Sequence, residues 1–345
     1  MTPVLQDFLL TLLKIAIMTH VLLGLFSLMT LAERRLLAFM QFRLGPNRVG
    51  PFGLFQPIAD GIKLFFKEEV MPAAANAWAF FAAPIVAVTA AFMAIATVPY
   101  GPPFTLPFTN IEVTPQIADL DVGLLFIFAV TSLGVYSVVL AGWSANSKYS
   151  LLGGLRSSAQ MFSYELALGM SFVGVIMLAG SFRISDIVAA QGGWIVNWYV
   201  VRQPLAAVTY FIAAAAEVSR TPFDLPEGET ELVAGYHTEY SSMKFAMFYM
   251  AEYANIIVSA ALTTTLYLGG WSLPFYEPRG LAGVLVSIAV FVAKTWALVC
   301  VFIWVRWTLP RFRYDQLLRL GWKIALPAAL VNLFWAALLT RWKVL

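Results

Sequence analysis

Long apolar runs alternate along the chain with shorter polar segments. A helix that crosses a bilayer needs about 20 mostly apolar residues. Runs of that kind fall at roughly 9–31, 78–98, 122–142, 158–180, 205–219, 246–268, 282–305 and 322–340. They predict an all-α polytopic membrane protein of about eight transmembrane helices, forming a single integral membrane domain over residues 1–345. The fifth run is the shortest and carries Glu217 near its end. The first is not read as a cleavable signal peptide, because it is too long and runs into Glu33-Arg34-Arg35 instead of a small-residue cleavage site. Between the first two runs, Gly45-Pro46, Gly50-Pro51 and Gly53 break any helix. Ile58, Ile62, Phe65 and Phe66 then recur at helical spacing, with Asp60, Lys63 and Lys67 on the other side. That pattern predicts an amphipathic interfacial helix over about 54–68. It would serve either as a surface anchor that seals the loop or as one wall of a cavity open sideways to lipid.

Composition sharpens this picture. Hydrophobic residues make up 60% of the 345 and charged residues 12%, against about 45–50% and about 25% in soluble domains. A soluble enzyme is excluded, because too little polar surface remains to cover it. Cys300 is the only cysteine and stands with just His20 and His237. A disulfide framework, an iron–sulfur cluster, a bis-histidine haem and a metal-ligand cluster held by this chain alone are therefore excluded as well. The net charge of +3 says less than its distribution. Arg34, Arg35, Arg43, Arg48, Lys63, Lys67, Lys148, Arg156, Arg220, Lys244, Arg306, Arg311, Arg313 and Arg319 all fall in loops 1–2, 3–4, 5–6 and 7–8. Loops on the other side carry Arg183, Arg202 and Arg279. The positive-inside rule puts the first set in the cytoplasm and both termini in the periplasm, although Arg341 and Lys343 run against it.

Ionisable residues inside spans are costly and usually face a partner or water. Glu165 and Glu252 lie about two turns into the fourth and sixth runs, Glu217 at the end of the fifth, and Lys294 near the middle of the seventh. The loop over 218–245 adds Asp224, Glu227, Glu229, Glu231 and Glu239, interleaved with aromatic and apolar residues and stiffened by Pro222 and Pro226. Packed carboxylates repel one another and titrate as a coupled set. The series from the acidic loop through Glu217, Glu252 and Glu165 to Lys294 has the make-up of a proton relay. The plainer reading is that Glu165 or Glu252 forms a packing ion pair with Lys294 or Arg156. His20 carries no functional assignment.

At three segments the chain closely resembles the H-type membrane-subunit family of bacterial proton-translocating NADH:quinone oxidoreductase, respiratory complex I. The mitochondrial counterpart of that family is NADH dehydrogenase subunit 1. The segments are AERRLLAFMQFRLGPNRVGPFGLFQPIADGIKLFFKE (32–68), AEVSRTPFDLPEGETELVAGYHTEYSSMKFAMFYMAEY (216–253) and RWTLPRFRYDQLLRLGWK (306–323). The resemblance implies a subunit at the junction of the peripheral and membrane arms in the bacterial inner membrane. Quinone would be its substrate, and FMN and iron–sulfur clusters would reside in partner subunits. It further implies peripheral-arm quinone-site and iron–sulfur subunits, small membrane subunits leading to antiporter-like subunits, and membrane lipids as partners, and no nucleic acid. The quinone chamber matches Glu33, Arg34, Arg43, Asp60 and Arg306. The carboxylate path matches Glu165, Glu217, Asp224, Glu227, Glu229, Glu231, Glu239 and Glu252, with Lys294 as the channel lysine.

Two other readings compete. The homologous membrane component of an energy-converting hydrogenase or formate hydrogenlyase would keep the acidic series without needing a quinone mouth. A stand-alone proton-coupled transporter would need a midplane solute pocket with paired broken helices, and the Gly and Pro residues do not pair up in that way.

Overall fold

The computed structural model describes residues 3–105, 112–225, 232–276, 278 and 280–344. Helix α1 (Pro3–Met40) is followed by α2 (Gln56–Phe66), α3 (Ala77–Ala94), α4 (Gly123–Ser144) and α5 (Lys148–Ala179). Three short helices come next: α6 (Ile184–Ala189), α7 (Tyr199–Arg202) and α8 (Pro204–Glu217). The chain ends with α9 (Ser242–Tyr267), α10 (Gly280–Thr308), α11 (Tyr314–Leu320) and α12 (Leu326–Val344), the last two joined by a wide π turn over Gly321–Ala325. Antiparallel β1 (Phe104–Thr105) and β2 (Glu112–Val113) form a minimal hairpin, with Phe104 opposite Val113.

Seven helical stretches among the described residues are long and apolar enough to cross a membrane. Several outrun the apolar stretch that predicts them. α1 continues through Glu33, Arg34 and Arg35 to Met40, and α5 starts ten residues before the predicted 158, at Lys148. Hydropathy detects only the part of a helix that suits lipid, and no glycine–proline pair interrupts either helix at its polar end. The predicted fifth span is α8, with only 14 residues, or about 21 Å at a rise of about 1.5 Å per residue. Its Tyr210 and Ala213 to Ala216 are buried by protein. The shortfall is made up by the irregular segment around α6 and α7, whose backbone is satisfied from within. Buried Gln191 donates to Thr265 O (2.8 Å) and accepts from the backbone of Tyr199 (3.3 Å) and Gly269 (3.1 Å).

Two glycines shape the part of the bundle that matters for function. Gly180 adopts a left-handed φ of 74° and donates to Ile176 O (2.7 Å), ending α5. Gly153 lies where an added Cβ would sit 2.7 Å from the Gly235 backbone, so α5 and the segment after 232 meet backbone to backbone. Asn76 caps α3 by accepting from the Ala79 amide, and its own amide donates to Ser144 O (2.9 Å) at the end of α4.

Candidate functional site

The amphipathic helix α2 turns its apolar stripe outward. Ile58, Ile62, Phe65 and Phe66 are all exposed. Its polar side faces inward, where Asp60 pairs with Arg34 of α1 at 2.6 Å and, at 3.8 Å, with Lys63. Between α2, α1 and α9 lies a cavity of about 620 Å³, a ligand-sized volume. Its walls are largely apolar, with Phe26, Leu37, Leu64, Met247 and Met250 among them. Polar groups concentrate at Arg34 and Asp60 on one side and at Glu33 and Arg306 on another. The end of α2 is stitched to the start of α9. Ser242 Oγ donates to Leu64 O (3.0 Å), the Val70 amide donates to Ser241 Oγ (2.9 Å), and buried Lys244 pairs with Glu69 while lying 3.5 Å from the Phe81 ring centroid.

Glu33 is 5% exposed and gathers three donors. It forms an ion pair with Arg306, accepts from the Tyr253 hydroxyl at 2.5 Å, and accepts from Trp307 Nε1 at 3.1 Å. Beyond Tyr253 stands Arg220, whose guanidinium lies 4.9 Å from the Tyr253 ring centroid and 5.4 Å from that of Tyr249, and which pairs with Glu252. Three small cavities continue inward, of about 20, 50 and 30 Å³. Each has room for one or a few waters. The first touches Glu33, Arg220 and Arg306; the second touches Glu252, His237, Ser219 and Glu217; the third touches Glu217, Thr131 and Asn255. Val218 borders all three. Glu165 accepts from Ser132 and lies close enough to Glu217 for their charges to repel.

The other sequence-predicted residues fall elsewhere. Asp224 is buried and bonds Arg311 at 2.9 Å. Glu239 is half-buried in the segment before α9. Glu227, Glu229 and Glu231 lie outside the described residues. Arg43 is exposed and donates to Gln41 Oε1 (2.7 Å), away from the lining of the large cavity. Lys294 gives its ammonium to three backbone carbonyls, those of Leu268 (2.7 Å), Gly270 (3.1 Å) and Ser272 (2.8 Å), and sits 4.3 Å from the Trp198 ring centroid. The packing pairs considered from the sequence also differ. Glu252 takes Arg220 as its partner, and Arg156 lies 5.6 Å from the Tyr314 ring centroid.

Sequence reasoning missed Tyr253, Trp307, Arg220, His237 and Gln160 as members of this cluster. Tyr249 and Tyr253 stand four residues apart beside Glu252, and that spacing was the available signal. Outside the spans, burial pushes the Tyr240 hydroxyl up to about 12 where it packs on Phe80 and donates to Phe80 O (3.2 Å).

The comparisons with known proteins agree with this arrangement of residues. A family model described as NADH dehydrogenase matches residues 13–337. An H-type membrane protein of the NADH-quinone oxidoreductase of Geobacter metallireducens is 53% identical over 99% of this chain and 98% of its own length. Its H-type counterpart in Thermomicrobium roseum is 47% identical over 94% of each. NADH-quinone oxidoreductase subunit 8 of Rhodothermus marinus is 50% identical over 90% of this chain and 92% of its own length. The chain therefore belongs to the NADH dehydrogenase family, as a membrane subunit of the H type in an NADH-quinone oxidoreductase.

Proposed function

We propose that this chain forms the quinone entrance and tunnel where the peripheral arm meets the membrane, and couples quinone reduction to proton translocation through its buried carboxylates. The observation that carries the reading is Glu33, which borders both the large apolar cavity and the first of the small ones. The apolar walls suit an isoprenoid tail, and the charged pairs Arg34–Asp60 and Arg306–Glu33 suit a small polar headgroup. The outward apolar face of α2 lets the helix lie in the membrane interface and form a side wall reached from lipid.

Reduction of a quinone to a quinol takes up two electrons and two protons. While electrons are ahead of protons, negative charge near the headgroup competes with Glu33 for Arg306. A weakened Arg306–Glu33 pair favours a proton on Glu33. Tyr253 and Arg220 then carry that change in charge to Glu252, and through the small cavities to Glu217 and Glu165. Acids of the loop over 218–245, including Asp224, Glu227, Glu229, Glu231 and Glu239, would supply protons at the cytoplasmic mouth. This assigns the basic loops to the cytoplasm and both termini to the periplasm, on the strength of the charge bias along the sequence.

One cysteine and two histidines do not fit an iron–sulfur cluster, and no group of three His, Cys, Asp or Glu among the described residues could hold a metal. Iron–sulfur clusters and FMN are accordingly assigned to peripheral-arm partners, and onward proton transfer to small membrane subunits and antiporter-like subunits.

A photoreactive quinone tests the tunnel. In the assembled complex, cross-links are expected at Met243, Met247 and Met250 and to be displaced by excess quinone. Labelling confined to the outward face of α2 would contradict the tunnel.

A further inference from the structure

We infer that Gln160 is a positioning residue that fastens both ends of the charged turn between Glu217 and Asp224. Gln160 is fully buried on α5. Its side-chain amide donates to Ala216 O at 2.8 Å and to Phe223 O at 2.7 Å. Each acceptor is the residue just before a carboxylate, Glu217 in one case and Asp224 in the other. A carboxamide nitrogen has two hydrogens, and both are used here. The Gln160 oxygen finds no hydrogen-bond partner among the described residues. The site therefore uses the side chain as a double donor. One amide closes the loop over 216–223 and sets where Arg220 stands between Glu252 and Tyr253.

The surroundings hold the same turn from other sides. One helical turn further along α5, Tyr164 donates to Leu317 O (2.9 Å) and packs edge-on against Phe223, their ring centroids 5.5 Å apart. The Phe312 amide donates to Pro222 O (3.0 Å), and Arg311 holds Asp224. Gln160 is the contact that reaches both ends at once. A glutamate in its place has the same shape but, when ionised, no hydrogen to give and a negative charge against two carbonyl oxygens. A methionine matches its length and leaves both carbonyls buried without this donor.

The kinetic consequence rests on the proton-path reading above, whereas the fastening itself does not, and the experiment separates them. Amide hydrogen exchange over 217–225 is measured in the purified complex for wild type, Q160M and Q160E. Loss of two hydrogen bonds is expected to speed exchange there by roughly tenfold or more, with α9 unchanged. Unchanged exchange in both variants overturns the fastening. In parallel, quinone reductase kcat and KM are measured per assembled complex, counted by NADH oxidation with ferricyanide. A fall in kcat with KM for quinone unchanged is expected. Fast exchange with a normal kcat, or a KM that rises in step with the fall in kcat, overturns the link from the turn to catalysis. Whichever of the two variants assembles suffices, and failure of both to assemble contradicts a role confined to the turn.

Discussion

Glu33 meets Arg306, Tyr253 and Trp307 in one nearly buried spot, so its charge is balanced by one cation and two neutral donors. Removing the charge alone leaves Arg306 as a half-paired buried cation, and breaking a buried pair in this way costs about 3–5 kcal/mol. The E33Q variant should lose thermal stability in the assembled complex. The double variant E33Q/R306M should lose less than E33Q, because no unbalanced charge is then left behind. Melting curves that place the double variant below both single variants would refute this balance. Arg34 is different, since its side chain is 47% exposed and its pair with Asp60 contributes modestly to stability. The R34A variant should assemble normally and raise the quinone KM about threefold to tenfold, a loss of binding shared by ground and transition states. Loss of assembly with no specific kinetic defect would make Arg34 a simple membrane anchor. The sequence shows these two residues because charges at the end of an apolar run stand out. It does not show Tyr253 or Trp307, whose roles depend on which way α9 and α10 face. Arg43 looked equivalent to Arg34, but Phe42 takes a left-handed φ of 54° just past α1, and Arg43 ends on the surface beside Gln41.

At the scale of elements, periodicity and hydropathy locate the long helices within a few residues at their apolar ends and miss their polar ends. The amphipathic helix was legible as well, since Ile58, Ile62 and Phe65 define one stripe, and only its inward polar face needed the fold to be seen. What could not be read is how α2 is tied down. Ser241, Ser242 and Lys244 lie more than 170 residues from the segment they hold, and no local pattern signals such contacts. The K244M variant retains the volume packed on Phe81 and loses the bond to Glu69. Limited proteolysis should cut the 67–76 segment several-fold faster in K244M, with the 41–55 segment unaffected. Equal rates would mean that the serine bonds alone hold the strap. The turn over 217–224 was readable as acid-rich and proline-stiffened, but its attachment to α5 was not, because Gln160 sits in an apolar run where a lone amide passes for an ordinary polar exception.

Across the whole molecule, the two ends differ in chemistry. The end with the basic loops carries the cavity and the buried acids, and the opposite end is closed by structural contacts. There Arg183 Nε reaches both oxygens of Asp119 at 2.9 Å, which holds the Asp119 carboxyl below the usual carboxylate range. A depressed pKa gives stability that is present above the unfolded value, about 3.9, and lost as pH falls through the folded value. The pair is partly exposed, with side chains 41% and 22% accessible, so solvent screening keeps its contribution small. The R183Q variant should therefore melt slightly below wild type at pH 6, with the gap closing toward pH 3; a gap that persists at low pH would assign the effect to packing. Lys294 belongs to this end as well, as a cation fixed on the carbonyls that terminate α9. The central claim concerns the other end, where Glu217 borders the two innermost small cavities. The most direct test is the E217Q complex in sealed vesicles, with protons moved and quinone reduced both measured per complex counted by NADH–ferricyanide activity. The account predicts that coupled quinone reduction and proton movement fall together by about tenfold or more. Wild-type rates of both in E217Q would contradict it.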